Sequence, residues 1–259
     1  MESDKNNNGV KPLCIVALHG FLATSKVWDR LKEVVDNSVH WYTPDLIQSR
    51  YLIGQAPGFT DAVRVLKSEF QGLKKDYQLW GMGYSMGGRL LAHVLVDSPS
   101  LFEKTFFLST DPFQLSDDQF ELRQKWQEDW LTKFRTLSWS DLIDEWNSQP
   151  VFSGSQALPS WVNEQEIDRQ LLAESFEKWS RLNQLIRIED INQLQGVDLI
   201  WAYGEKDKKY KNLYETWRKQ GLKGRFVEFK GLGHRFPFED TVELLNRLDL
   251  PAGWEACQN

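Results

Sequence analysis

Short apolar runs alternate with amphipathic segments along most of the chain. Runs of strand length occupy residues 13–18, 39–43, 77–83, 105–108, 197–203 and 225–229. A continuous apolar run is typical of a strand that is buried on both faces of a parallel sheet. Residues 25–35, 60–73, 212–220 and 239–248 are expected to be helical, with Thr60 as an N-cap. This alternation predicts a mostly parallel, doubly wound α/β sheet.

The alternation stops between Asp111 and about Asp190. This charged, helical stretch contains six of the 12 tryptophans of the chain: Trp126, Trp130, Trp139, Trp146, Trp161 and Trp179. We expect most of them to pack helices against one another. The pattern predicts a helical cap at 111–190, inserted over the carboxyl edge of the sheet between two parts of the core, 13–110 and 191–259.

Composition narrows the class of protein. A chain of 259 residues with 41% hydrophobic content can form one domain with a sizeable core, and a net charge of -6 argues against nucleic acid as a partner. Residues 1–12 are polar and are expected to be a disordered leader. No apolar run is long enough for a membrane span, so we expect a cytoplasmic protein, as a monomer or weak homo-oligomer. The two cysteines, Cys14 and Cys257, suggest neither a disulfide nor a metal site, and nothing calls for a cofactor.

One apolar strand runs into a serine framed by glycines and then into a helix. The sequence Gly83-Tyr84-Ser85-Met86-Gly87 has the G-x-S-x-G form of a nucleophile elbow. In such an elbow a tight turn holds the serine in a strained backbone conformation and exposes its hydroxyl. Ser85 is therefore the predicted nucleophile or base.

A serine hydroxyl becomes reactive when an imidazole takes its proton and a carboxylate orients that imidazole. His234 is one of four histidines and follows the last strand on a glycine-flanked loop, where the chain order serine, acid, histidine requires it. Asp207 follows the preceding strand and is the favoured acid. Glu205 in the same loop and Asp111 after an earlier strand are the alternatives.

An oxyanion hole needs two backbone N–H groups that point at one position. The residue after the nucleophile, Met86, supplies one such group. The loop after the first strand has the sequence His19-Gly20-Phe21, and the N–H of Phe21 is the candidate for the second.

These motifs resemble those of the α/β-hydrolase superfamily over nearly the whole chain. Two stretches, Gly83 to Arg89 and Trp146-Asn147-Ser148-Gln149-Pro150-Val151-Phe152, are similar to the elbow and cap motifs of the 2-succinyl-6-hydroxy-2,4-cyclohexadiene-1-carboxylate (SHCHC) synthase family of menaquinone biosynthesis. The second motif is the more specific because the fold does not require it.

The resemblance implies a lyase that eliminates pyruvate from an acidic cyclohexene intermediate, with Ser85, His234 and Asp207 acting together as the base. It also implies that substrate carboxylates contact Arg89 and Arg123, and that Tyr84 and Trp146 line the pocket. A serine hydrolase of small carboxylic esters or thioesters is the alternative.

Two features depart from the family pattern and concern substrate recognition. Asp45-Leu46-Ile47-Gln48-Ser49-Arg50 stands where most relatives have a Pro-Gly-His-Gly turn. The family pattern also has a further cap arginine after the position of Phe152. This chain has no clear equivalent, because Glu174 lies near that position, and Arg169 and Arg181 are the possible substitutes.

Overall fold

A computed structural model describes residues 11–47, 54, 58–159 and 162–253 of the chain. The six described strands form one parallel sheet in the order β2-β1-β3-β4-β5-β6. Their bounds are Leu13–Leu18 (β1), His40–Tyr42 (β2), Gln78–Tyr84 (β3), Lys104–Leu108 (β4), Asp198–Gly204 (β5) and Arg225–Phe229 (β6). The predicted parallel α/β sheet is confirmed.

Helices cover both faces of this sheet. They are α1 (Asp29–Val34), α2 (Phe59–Leu73), α3 (Met86–Asp97), α4 (Asp117–Thr136), α5 (Trp139–Asn147), α6 (Arg169–Lys178), α7 (Ile188–Asn192), α8 (Lys208–Lys219), α9 (Phe236–Glu239) and α10 (Thr241–Arg247). Alternate residues of β1 serve opposite faces: Val16 belongs to the core beside α2 and α3, and Ile15 to the core beside α1 and α10. This two-sided burial explains why the strands are continuous apolar runs.

Several helix ends differ from the expected ones. Helix α2 has Gly58 rather than Thr60 at its N-cap position. Helix α8 begins at Lys208, before the apolar periodicity becomes visible, because the Asp207 side chain caps it by accepting from the Tyr210 N–H. The closing helix is interrupted at Asp240, whose carboxylate caps α10 by accepting from the Glu243 N–H.

The residues between β4 and β5, which we call the helical segment (109–197), contain α4 to α7 and no strand among those described. Helix α4 begins with a capping box between Ser116 and Gln119, and it packs against α6. The division of the chain into a core and a cap with bounds 111–190 stays a prediction, and Trp161 lies outside the described residues.

The described chain is already attached to the sheet at its first residues. The Pro12 carbonyl accepts from the Gln78 N–H (2.9 Å). Residues 1–10 lie outside the described part, and the leader at 1–12 stays a prediction. None of the described helices is long and apolar enough to cross a bilayer.

Candidate active site

The elbow holds Ser85 in a left-handed backbone conformation, with φ 49° and ψ -109°. A Cβ at residue 83 would lie 2.5 Å from the Gly88 Cα, and one at residue 87 would lie 2.3 Å from the Leu18 carbonyl oxygen, so both positions require glycine. The Ser85 N–H donates to the Leu108 carbonyl (2.9 Å). These contacts fix the strained turn and present the Ser85 hydroxyl at the carboxyl edge of the sheet.

A hydrogen-bonded chain links Ser85 to His234 and Asp207. The Nδ1–H of His234 donates to Oδ2 of Asp207 (2.6 Å), and Nε2 lies 3.4 Å from the Ser85 Oγ. Oδ2 also accepts from the Ser109 hydroxyl (3.3 Å). Asp207 and His234 are 1% and 3% exposed. Because the carboxylate occupies Nδ1, Nε2 is the nitrogen free to take the serine proton.

The two alternative acids have other partners. The Glu205 carboxylate accepts from the Gly231 N–H (2.9 Å) and pairs with Lys230. Asp111 pairs with Arg181. Asp207 is therefore the carboxylate that the structure brings to His234, as the loop position predicted.

The loop after β1 brings Phe21 to the elbow. A Cβ at residue 20 would lie 2.7 Å from the Tyr84 ring, so only glycine permits this approach. The His19 Nδ1–H donates to the Gly20 carbonyl and Nε2 accepts from the Leu46 N–H, both at 2.8 Å, which fixes the loop. Within the described residues, neither the Phe21 nor the Met86 N–H is used in a turn or loop hydrogen bond. The oxyanion hole formed by these two groups stays a prediction.

A cavity of about 110 Å³ lies in front of Ser85 and opens into a cleft of about 540 Å³. We call this cavity the front pocket. Its walls combine aromatic rings with basic side chains: Phe21, Trp126, Trp146, Phe152, Phe176 and Trp179, with Arg89, Arg123, Arg181 and Lys209. The wall is thus apolar between the basic side chains. This low-polarity surrounding strengthens any ion pair that forms inside the pocket.

Most of these basic groups have no acidic partner in the described part of the chain. Arg89 donates to the Trp179 carbonyl (3.0 Å), while the Arg123 guanidinium lies 3.9 Å from the Trp126 ring centroid, with its Nε buried and unpaired. Burial, then repulsion from neighbouring arginines, lowers the pKa of Arg89 to about 10 and that of Arg123 to about 9. Lys209 lies at the rim of the pocket with an exposed side chain.

The structure distinguishes the two candidates for a third arginine. Arg181 lines the front pocket beside Asp111, its pairing partner. Arg169 instead donates to the Leu137 carbonyl (2.6 Å) and pairs with Glu164 (3.1 Å), outside the pocket. Arg181 is therefore the arginine placed to meet a ligand.

Tyr84 and Trp146, the two aromatic candidates, differ in placement. Trp146 lines the front pocket and packs on Phe21, with ring centroids 5.1 Å apart. Tyr84 packs on His234, with ring centroids 5.4 Å apart, and lines a smaller adjoining cavity rather than the front pocket. The turn that departs from the family pattern is described only up to Ile47, because Gln48 to Arg50 lie outside the described residues.

Arg235 is a site residue that the sequence did not single out. Its guanidinium donates to the Asn147 side chain and to the Gln156 carbonyl, both at 2.7 Å, and lies 4.1 Å from the Phe152 ring centroid. The Trp146–Phe152 motif is thereby fixed to the loop that carries His234. Lys209 was also missed, although its position two residues after Asp207 was a usable signal.

A family model matches most of the chain. The model described as the alpha/beta hydrolase family matches residues 15–248. The chain belongs to this family. An SHCHC synthase from Serratia proteamaculans is 24% identical to this chain, and the match covers 84% of this chain and 85% of the relative. An SHCHC synthase from Photorhabdus laumondii is 25% identical, and the match covers 77% of this chain and 72% of the relative.

Solved structures show the same fold. MenH from S. aureus superposes with a TM-score of 0.78 at 18% identity, covering 93% of this chain and 95% of its own. A thermophilic esterase from Thermogutta terrifontis, solved with malate bound, superposes with a TM-score of 0.65 at 13% identity, covering 93% and 89%. The α/β-hydrolase fold and the resemblance to SHCHC synthase are thus confirmed.

Proposed function

We propose that this chain is a lyase that eliminates pyruvate from a succinyl-enolpyruvyl-hydroxycyclohexene-carboxylate and forms SHCHC in menaquinone biosynthesis. The names of its relatives and the Trp146–Phe152 motif support this choice. The observation that carries the proposal is the set of basic side chains without a carboxylate partner, Arg89, Arg123 and Lys209, around one cavity with Ser85.

The charge of the front pocket fits this substrate. Burying a cation away from water is unfavourable unless an anion compensates it. The proposed substrate carries a ring carboxylate, a succinyl carboxylate and an enolpyruvyl carboxylate, which can pair with the three unpaired basic groups. Arg181, already paired with Asp111, can orient the ligand without adding an unpaired charge. A neutral ester would leave the basic groups uncompensated.

The proposed reaction uses the Ser85-His234-Asp207 triad as a base. His234 Nε2 accepts the Ser85 proton while the serine oxygen takes the ring proton beside the succinyl ketone. The ketone oxygen becomes an enolate, held by the Phe21 and Met86 N–H groups. The electron pair of the enolate then moves back through the ring, and the C–O bond to the enolpyruvyl group breaks. The enolpyruvate that leaves takes the proton held by His234 and becomes pyruvate. Atoms balance without water.

The direct test supplies freshly prepared intermediate to the purified protein and follows pyruvate release against the spontaneous reaction. We expect clear acceleration, and we expect Ser85→Ala to abolish it while circular dichroism shows an intact fold. Acceleration that persists in Ser85→Ala would remove the assignment of the triad. Turnover of short p-nitrophenyl esters without pyruvate release would contradict the lyase and indicate a hydrolase.

A further inference from the structure

The first turn of α8 brings a buried phenol to the front pocket. Tyr210 is the third residue of that helix, is 6% exposed, and lines the pocket together with Ser85 and His234. Its N–H donates to Oδ1 of Asp207 (3.2 Å), and its ring packs on the His234 ring, with centroids 5.0 Å apart. Members of the triad therefore hold both the backbone and the ring of Tyr210.

The Tyr210 hydroxyl is a donor with no partner in the described part of the chain. The next tyrosine of the helix differs, because the Tyr214 hydroxyl donates to the Thr110 carbonyl and accepts from the Thr110 N–H, both at 3.0 Å. Burial, then the negative charge of Asp111, raises the pKa of Tyr210, so this phenol keeps its proton. A ligand that brings an acceptor to the pocket can therefore receive a hydrogen bond from it.

The uncharged donors around the front pocket come from two sides. Outside the triad, all of those described except Tyr210 belong to the helical segment: Trp126, Trp146, Gln149, Ser175, Trp179 and Ser180. Tyr210 instead belongs to the helix that follows β5, and it contacts the base. Its hydrogen is thus offered next to the group that exchanges protons in the proposed reaction.

The proposed elimination develops negative charge on two oxygens. The Phe21 and Met86 N–H groups are proposed to hold the ketone oxygen. The ether oxygen of the enolpyruvyl group also becomes negative when its bond to the ring breaks, and a positioned donor would stabilise it. Because the departing enolpyruvate takes the proton held by His234, it must come close to His234 and hence to Tyr210.

We infer that Tyr210 is a catalytic residue of this elimination, whose hydroxyl donates a hydrogen bond to the departing enolpyruvyl oxygen. The inference rests on the proposed function and adds a residue to it. The phenol transfers no proton. The electrons of the broken C–O bond stay on the oxygen that Tyr210 holds, and the proton from His234 goes to the methylene carbon, which gives pyruvate. Loss of one such donor typically lowers the rate by about 10²–10³.

The test uses Tyr210→Phe, which keeps the ring on His234 and removes only the hydroxyl. Freshly prepared intermediate is supplied in D2O, and a control without enzyme corrects for spontaneous change. Two rates are followed: pyruvate release, and the entry of deuterium at the ring position beside the ketone in the intermediate that remains. Deuterium enters there when Ser85 removes the ring proton but the enolpyruvyl group does not leave.

The matched control is Tyr214→Phe, which removes a buried phenol one turn later on the same helix. We expect Tyr210→Phe to leave Tm unchanged and to release pyruvate about 10²–10³ times more slowly. Its ratio of deuterium entry to pyruvate release should rise well above that of wild type, because proton removal continues while departure is slowed. Tyr214→Phe should lower Tm, since its bonds to Thr110 are lost, and should keep the wild-type ratio.

Two results for Tyr210→Phe would overturn the inference. Pyruvate release at the wild-type rate would show that the hydroxyl does not act in the reaction. An equal fall in release and deuterium entry would show that the phenol only positions His234. Failure of the proposed function is recognised separately, because wild type itself would then not accelerate pyruvate release, and the inference would fall with it.

Discussion

Replacing Arg123 with methionine should stabilise the protein while it impairs turnover. The Arg123 guanidinium has a buried, unpaired Nε and no carboxylate partner among the described residues. Burial, followed by repulsion from Arg89 and Arg181, lowers its pKa from 12.5 to about 9. A methionine keeps a similar length of apolar side chain against Trp126 and removes the charge.

The size of the effect follows from this pKa. Each pH unit by which the folded state lowers the pKa of a cation corresponds to ~1.4 kcal/mol of destabilisation at neutral pH, so the upper limit is about 5 kcal/mol. Arg123 is only partly buried by surface area, and its stacking on Trp126 contributes about 0.5–2 kcal/mol that the variant loses. We therefore expect a net gain of about 1–2 kcal/mol in unfolding free energy. For a chain of this size that raises Tm by roughly 2–8 °C.

Differential scanning fluorimetry without ligand, together with urea titration, measures the change. Arg169→Met is the matched control, since Arg169 lies on the same helical segment but donates to the Leu137 carbonyl and pairs with Glu164. It should be neutral or destabilising. A lower Tm for Arg123→Met, or the same gain for Arg169→Met, would show that the pocket cations are compensated without a ligand and would refute the reasoning.

Two further predictions concern the same site. Arg89→Ala should lower kcat/KM for the polycarboxylate intermediate far more than for a neutral p-nitrophenyl ester, and equal losses would argue against carboxylate binding. Asp207→Asn should keep the fold but lower kcat by about 10⁴. An asparagine oxygen that still accepts from the Tyr210 N–H leaves the NH2 group facing Nδ1 of His234, which favours the wrong tautomer. Wild-type activity would exclude Asp207 as the orienting acid.

The local sequence pattern was sufficient to predict the strands of the sheet and the reactive side chains. The strands are recognisable because burial on both faces makes them continuous apolar runs, and β1 and β6 have the expected bounds, residues 13–18 and 225–229. Ser85 carries its own signal in the flanking glycines, which the close approach of neighbouring backbone requires. His234 and Asp207 follow from chain order, because the carboxyl ends of parallel strands meet at one edge of the sheet.

The substrate-facing groups could be predicted only in part, because they depend on contacts between distant segments. Arg235 bonds to Asn147, 88 residues away, and no local pattern encodes that pair. Arg169 is the first residue of α6, whereas Arg181 follows the end of that helix and lines the front pocket. The sequence alone does not show which end of α6 lies at the pocket. Tyr84 was placed in the pocket by resemblance, yet its ring lines a smaller adjoining cavity, where it packs on His234 and Phe238.

Two unfavourable features occur around one cavity, and together they restrict the reaction. The positive-φ backbone of Ser85 costs about 1–3 kcal/mol and presents its hydroxyl to the cavity, a feature that a protein which merely binds an anion would not require. Unpaired basic groups also destabilise the fold and are needed only where the ligand brings negative charge, so an esterase for neutral substrates would not require them. A reaction at Ser85 on a substrate that carries several carboxylates requires both features. This coincidence supports a reaction of Ser85 on a polycarboxylate substrate, which is what the proposed lyase requires, more strongly than the resemblance of either motif alone.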